Sequence, residues 1–205
     1  FFSKLPLFAL YWIADMLFVL SYYVVGYRRQ VALQNLRNAF PDKSEKELQK
    51  INQQFFRNLA DFVVEVLKAN TLSPESFKKR VVFTNLSALD KYKDQTVMFM
   101  ASHQFNWEWM QLSAALQFPF KIDYIYQPLK TKSFDKFMID LRSRFGAEPI
   151  NRHYAARELL RRSEKGRGFA MVADQVPGRD IRKHWITFLN QDTAFFIGSE
   201  TLAKL

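Results

Sequence analysis

Residues 5–27 are apolar at nearly every position and carry one formal charge, Asp15. A helix of that length rises about 34 Å, close to the hydrocarbon thickness of a bilayer, so a transmembrane helix is expected. Pro6 and Asp15 keep an interfacial helix open, with Trp12, Tyr22 and Tyr23 at headgroup depth. A buried core helix is the non-membrane alternative. A cleaved signal peptide fits less well, because the stretch is too long and no small-residue cleavage site follows. Lys4 precedes the stretch, and Arg28, Arg29 and Arg37 follow it, which places the rest of the chain on the cytoplasmic side.

A short apolar pattern at Val31, Leu33, Leu36 and Phe40 is interrupted by Pro41 and Asp42. Ser44 and Glu47 then form a capping box, with Leu48, Ile51, Phe55, Leu59, Phe62, Val63 and Val66 at helical spacing behind it. A long amphipathic core helix is predicted. Beyond Pro74 the period shortens: β-rich runs at 81–83, 96–101, 122–126, 169–173 and 185–188 alternate with helical stretches at 107–116, 134–145 and 154–165. That alternation predicts an α/β fold, a mostly parallel central sheet flanked by helices, preceded by the transmembrane or interfacial helix. We divide the chain into residues 1–29, the membrane helix, and residues 30–205. The sequence opens on Phe1 and stops inside an apolar helical pattern, so the second domain is expected to be C-terminally incomplete.

Composition narrows the chemistry. The 205 residues are 48% hydrophobic and include no cysteine, which excludes a disulfide framework, a thiolate metal site and an acyl-cysteine intermediate. The net charge of +10 points to an anionic partner. Residues 121–183 hold 15 basic and 8 acidic side chains, so this stretch carries seven of the ten excess charges. Arg142, Arg144, Arg152 and Arg157 suit bidentate contact with phosphate, whereas Arg161, Arg162 and Arg167 read as a solvated face. Nucleic acid is disfavoured, because the aromatic residues lie in apolar helices and strands and are not interleaved with the basic run.

The chemistry concentrates at the end of the 96–101 strand, where the chain reads Ser102-His103-Gln104-Phe105-Asn106-Trp107-Glu108. His103 and Glu108 could not share a face of one regular helix, since five residues correspond to about 140° of rotation. They can meet if His103 lies in the turn and Glu108 in the first helical turn, with Asn106 as the cap. A histidine oriented by a carboxylate is what a general base requires, and a substrate that brings its own hydroxyl removes the need for a nucleophilic serine. A capping histidine with a surface glutamate is the alternative on spacing alone. Asp174 and Gln175 follow an apolar strand and precede the Pro177-Gly178 turn, a place where ligands collect in α/β folds. His153 and His184 have no partner at readable spacing.

His103-Gln-Phe-Asn-Trp-Glu108 resembles the histidine-four-residues-acid motif of the glycerolipid acyltransferase superfamily, and its Asn-Trp-Glu ending is similar to the late acyltransferases of bacterial lipid A biosynthesis. Residues 31–44, 145–152 and 168–175 resemble further segments of that family in the same order. The chain departs at two places: the family commonly has glycine where Phe105 stands, and Phe-Phe-Gly where this chain has Phe188-Leu189-Asn190. The resemblance implies an acyltransferase domain over residues 30–205. It moves a fatty acyl group from an acyl carrier protein thioester to a hydroxyl of an acylated, phosphorylated glucosamine disaccharide at the bacterial inner membrane. His103 would be the base and Glu108 its partner. Asn106, Arg152, Asp174 and Gln175 would bind substrate, with Arg152 or a backbone N–H near the helix start facing the developing oxyanion and Asp174 orienting Arg152 or the acceptor sugar. No metal or cofactor is implied. The rival readings are the same chemistry on another glycolipid or an aminoacyl lipid, and a noncatalytic basic protein of the membrane surface.

Overall fold

The computed structural model describes residues 2–162, 164–178 and 181–205. Ser163, within the predicted 154–165 helix, and Arg179 and Asp180, within the basic stretch, lie outside the described residues. Contacts divide the chain into two compact units, residues 1–71 with 185–194, and residues 72–184 with 195–205. The first helix shares the first of these units with residues 30–71.

In the first unit, α1 (Leu7–Val19) continues as a π-helical segment, Leu20–Val25, until Gly26 takes up a left-handed conformation at φ 63°. Helix α2 (Arg29–Ala39) follows, and then α3 (Glu45–Ala69), whose start is fixed by the expected capping box. The Glu47 N–H donates to Ser44 Oγ, while the Glu47 carboxylate accepts from the Ser44 N–H at 2.9 Å. Leu10, Ala14 and Phe18 of α1 and Tyr22 of the π-helical segment recur every four residues and bury against Phe56, Ala60 and Val64 of α3. Arg29 donates to the Tyr22 carbonyl, and Asn52 of α3 donates to the Arg29 carbonyl, so the start of α2 is tied to the same pair.

The segment Leu7–Val25 is long and apolar enough to cross a membrane. One side of it, however, is filled by α3, which brings Arg57 to Asp15 at 3.3 Å and Glu65 to the Tyr11 hydroxyl at 2.8 Å. Carrying this pair into hydrocarbon would take Arg57, Asp61, Glu65 and Lys68 along, at about 2.5–3.5 kcal/mol for each charge near mid-bilayer.

In the second unit, α4 (Pro74–Arg80) precedes four parallel strands: β1 (Val97–Ala101), β2 (Lys121–Tyr126), β3 (Glu148–Asn151) and β4 (Arg167–Val172). Between them run α5 (Trp107–Gln117), α6 (Lys132–Arg142) and α7 (Ala155–Arg161). The strand order is β1-β4-β2-β3. Registers run from Val97 opposite Gly168, from Lys121 opposite Arg167, and from Asp123 opposite Glu148. Alternation then sorts the faces: Ile122 and Tyr124 pack with Phe120 and Ala147 on one side, and Phe169 packs with Ile150, Ala155 and Leu159 on the other. Gly168 admits β4 into the middle, because a Cβ there would lie 2.6 Å from the Phe99 ring and 3.0 Å from Ile122. Four strands side by side align all their carboxyl ends on one rim.

Several expectations are corrected. Residues 81–83 form no strand; Val81 ends α4, its N–H bonded to the Phe77 carbonyl, and Val82 faces solvent. Strand β3 escapes the periodicity because it has four residues and includes Pro149, which is tolerated at an edge where one ladder donor is dispensable. The 185–188 run is no member of the parallel sheet. It forms β5 (Lys183–Phe188) and, among the described residues, pairs only with β6 (Gln191–Phe196), through the two-residue turn Leu189-Asn190 with φ 50° and 59°. Positive φ at both positions is the signature of a tight antiparallel hairpin. A last helix, α8 (Gly198–Ala203), follows.

Candidate active site

The turn after β1 carries His103, and the turn after β4 carries Asp174 and Gln175. Because β1 and β4 are neighbours in register, these turns meet on the rim. The Asp174 carboxylate receives two bonds from one residue: His103 Nδ1 lies 2.7 Å from Oδ1, and the His103 backbone N–H donates to Oδ2 at 2.9 Å. Partial burial pushes the Asp174 carboxyl up, but the ring and backbone bonds from His103 outweigh it and hold it below its ordinary value. A carboxylate on Nδ1 places the ring proton there and leaves the Nε2 lone pair pointing away. The His103 side chain keeps 28% of its surface exposed. Gln175 Nε2 stands 3.4 Å from His103 Nε2, at the outer limit of a hydrogen bond.

Glu108 does not reach His103 in this arrangement. It is 3% exposed and is held by Arg142 through bonds of 2.8 and 2.5 Å, and by the Trp107 indole N–H at 3.1 Å. Burial disfavours the Arg142 cation, but the bonds and charge of Glu108 more than offset this and raise its value. The carboxylate still bears on the histidine indirectly, since the Trp107 ring packs edge-on to His103 with centroids 4.9 Å apart. So Asp174 bonds the imidazole, and Glu108 fixes the indole that the imidazole leans on.

Asn106, expected at the substrate, is buried and caps α5, its side-chain oxygen accepting from the Trp109 N–H at 2.9 Å. Phe105, just before it, has φ 52° and is 71% exposed. The left-handed conformation explains why a glycine serves at this position in the family the sequence resembles. Phe105 lines an open depression of about 530 Å³ with Met100, Ala101, Ser102, Gln104 and Met110, which bracket His103 in sequence on both sides.

Arg152 follows β3 and donates to Gln127, which follows β2, at 2.9 Å. It shares the rim with His103, but three strand spacings, about 14 Å, separate the two strand ends. Among the described residues it bonds no carboxylate, and Asp174 bonds His103 instead. Arg162 and Arg167 do not form a solvated face. At the opposite rim Arg162 bonds Asp123 at 2.8 Å, Glu148 at 3.1 Å and Glu158 at 2.9 Å, and Arg167 lies 3.1 Å from fully buried Asp123. Arg161 pairs with Glu158 at 2.6 Å. Among the described residues, no group of three histidine or carboxylate side chains converges where a metal ion could be held.

A family model described as bacterial lipid A biosynthesis acyltransferase matches residues 2–204, so the chain belongs to that family. No curated protein sequence matches it.

Proposed function

We propose that this member of the lipid A acyltransferase family moves a fatty acyl group from an acyl carrier protein thioester to a hydroxyl of a phosphorylated lipid A precursor, at the cytoplasmic face of the bacterial inner membrane. The observation that carries the reading is the imidazole of His103, bonded through Nδ1 to Asp174 in a turn at the sheet rim whose neighbouring residues line an open depression. Nε2 removes the proton of the acceptor hydroxyl, whose oxygen attacks the thioester carbonyl carbon. The tetrahedral intermediate collapses with cleavage of the C–S bond, and His103 returns the proton to the departing carrier thiolate. Asp174 fixes the tautomer and balances the imidazolium formed between the two transfers. An acceptor hydroxyl replaces Gln175 at Nε2, and the displaced amide becomes a donor to the acceptor sugar.

Negative charge growing on the thioester oxygen is met by backbone N–H groups at the start of α5, which precede the first intrahelical bond and lie at the positive end of the helix. Arg152 stands too far along the rim for that role and suits a phosphate on the acceptor. The test is the His103→Ala variant of the full-length protein, assayed for transfer from acyl carrier protein to precursor. A companion assay is mass spectrometry of lipid A from cells lacking the gene and complemented with either form. Transfer should vanish, and lipid A should lack one acyl group. Undiminished transfer by the variant refutes the mechanism.

A further inference from the structure

We infer that the rim of the parallel sheet that carries His103 is itself a lipid-contacting surface, on which apolar side chains from all four strand-end loops enter the headgroup layer of the bilayer. The inference rests on the lipid acceptor proposed above, and its depth readout is separate from the transfer assay.

Phe105 follows β1, Leu129 follows β2 and Phe134 opens the helix after it, Tyr154 follows β3, and Val176 follows β4. These five side chains are between 40% and 71% exposed. Exposed apolar residues scattered singly need no explanation. Here each of four adjacent loops supplies at least one, and the strand ends they leave from span about 14 Å across the sheet. The turns leading into the strands, at the opposite rim, differ. Among their described residues, 93–96, 118–120, 143–147, 162 and 164–166, no large apolar side chain is exposed; the nearest, Tyr92 and Leu160, stand in the helical segments before them. That rim is instead closed by ion pairs, Lys121 with Glu148 and Arg162 with Asp123 and Glu158.

The same strands and helices build both rims, so the difference belongs to what each rim meets. The acceptor supplies the occupant. A disaccharide bearing several fatty chains stays in the bilayer, since each methylene drawn into water costs about fourfold in its partition constant. Its hydroxyl meets His103 only where the rim comes down to the lipid surface. Aromatic and aliphatic side chains at loop tips then bury at the boundary between headgroups and acyl chains. Charge agrees with this placement. Exposed Arg152 lies among the apolar residues, and residues 121–183, which supply three of the four loops, hold 15 basic against 8 acidic side chains, suiting an anionic headgroup layer.

The 205 residues contain no cysteine, so each single substitution among them introduces one labelling site. An environment-sensitive fluorophore is placed on Leu129→Cys, Tyr154→Cys and Val176→Cys of the full-length protein, and on exposed Asp94→Cys and Lys165→Cys at the opposite rim. The labelled proteins are reconstituted into vesicles of phosphatidylethanolamine with a phosphatidylglycerol minority. Quenching is read with a quencher attached to lipid just below the headgroup and with aqueous iodide. Labels at 129, 154 and 176 should be quenched by the lipid-borne group and shielded from iodide, and those at 94 and 165 should show the reverse. A second measurement uses the double change Leu129→Gln, Tyr154→Gln, which removes apolar surface without adding charge. It should lower kcat/KM about thirtyfold for an acceptor held in vesicles, and at most about threefold for a short-chain acceptor dissolved as monomers. Rim labels as open to iodide as those at 94 and 165 overturn the inference, and so do equal losses on the two acceptors. Shielding of the rim labels by acyl carrier protein in detergent, with no lipid-borne quenching in vesicles, overturns it by assigning the face to the carrier. Lipid-quenched rim labels in a parent protein that transfers no acyl group support the contact and refute the proposed reaction.

Discussion

Replacing Asp174 with asparagine separates the two carboxylates that compete for the role of histidine partner. The Asp174 carboxylate accepts from the His103 ring at 2.7 Å and from the His103 backbone N–H at 2.9 Å, through different oxygens. Asparagine offers one acceptor and one donor in the same outline. If its oxygen takes the backbone N–H, its NH₂ faces Nδ1, the ring proton moves to Nε2, and the base is lost. If its oxygen takes the ring, the backbone N–H faces a donor. In a serine protease triad this tautomer error lowers kcat about 10⁴-fold, equivalent to about 5 kcal/mol of barrier. A loss of that order is expected here, with little change in KM for the acceptor.

The assay is single-turnover transfer from radiolabelled acyl carrier protein, run for Asp174→Asn and Glu108→Gln alongside thermal melts and over a range of pH. Glu108→Gln keeps an acceptor for the Trp107 indole and loses the charge against Arg142. Its first consequence is instability, on the scale of about 3–5 kcal/mol for breaking a buried pair. Rate per folded molecule should fall far less than in Asp174→Asn. The Asp174 carboxyl is depressed in the folded protein, so its pairing with His103 is intact above the ordinary carboxyl range, about 3.9. That pairing is lost only as pH falls through the lower folded value. Retention of more than a tenth of the rate by Asp174→Asn would sink the reasoning, as would a loss in Glu108→Gln equal to it at unchanged stability.

Phe105→Gly removes a non-glycine residue from φ 52° and should raise stability by about 0.5–1 kcal/mol in urea titration, the left-handed strain of about 1–2 kcal/mol exceeding the added unfolded-state entropy. Leu189→Gly at φ 50°, in the β5–β6 turn, should do the same and controls for any effect of the Phe105 ring. Carrier binding should weaken with added salt, because Lys130, Lys132 and Arg157 are exposed or half-exposed cations of the basic stretch with no ion pair among the described residues. Salt-insensitive affinity would exclude electrostatic docking there.

The strand-turn-helix around His103 was readable because its signals are local: an apolar run, a polar turn and a capping asparagine within about a dozen residues. The identity of the carboxylate was not. His103 and Asp174 are 71 residues apart and meet only because β4, the last strand of the sheet, inserts beside β1, a consequence of packing around Gly168 that no periodicity records. Spacing favoured Glu108 because it sees neighbours along the chain, and it correctly put Glu108 in the first turn of α5 without showing which way the side chain points. The arginines failed for the same reason. Arg162 and Arg167 lie in a basic run, but their partner Asp123 sits inside β2, where its alternating position reads as an ordinary outward polar residue. Conversely, the two departures from the family pattern become intelligible only with backbone angles. Phe105 and Asn190 occupy left-handed positions where glycine is the unstrained choice, and asparagine is the residue type that tolerates the substitution best. Of these two positions the strain therefore falls on Phe105, two residues after His103, which is exposed and lines the depression.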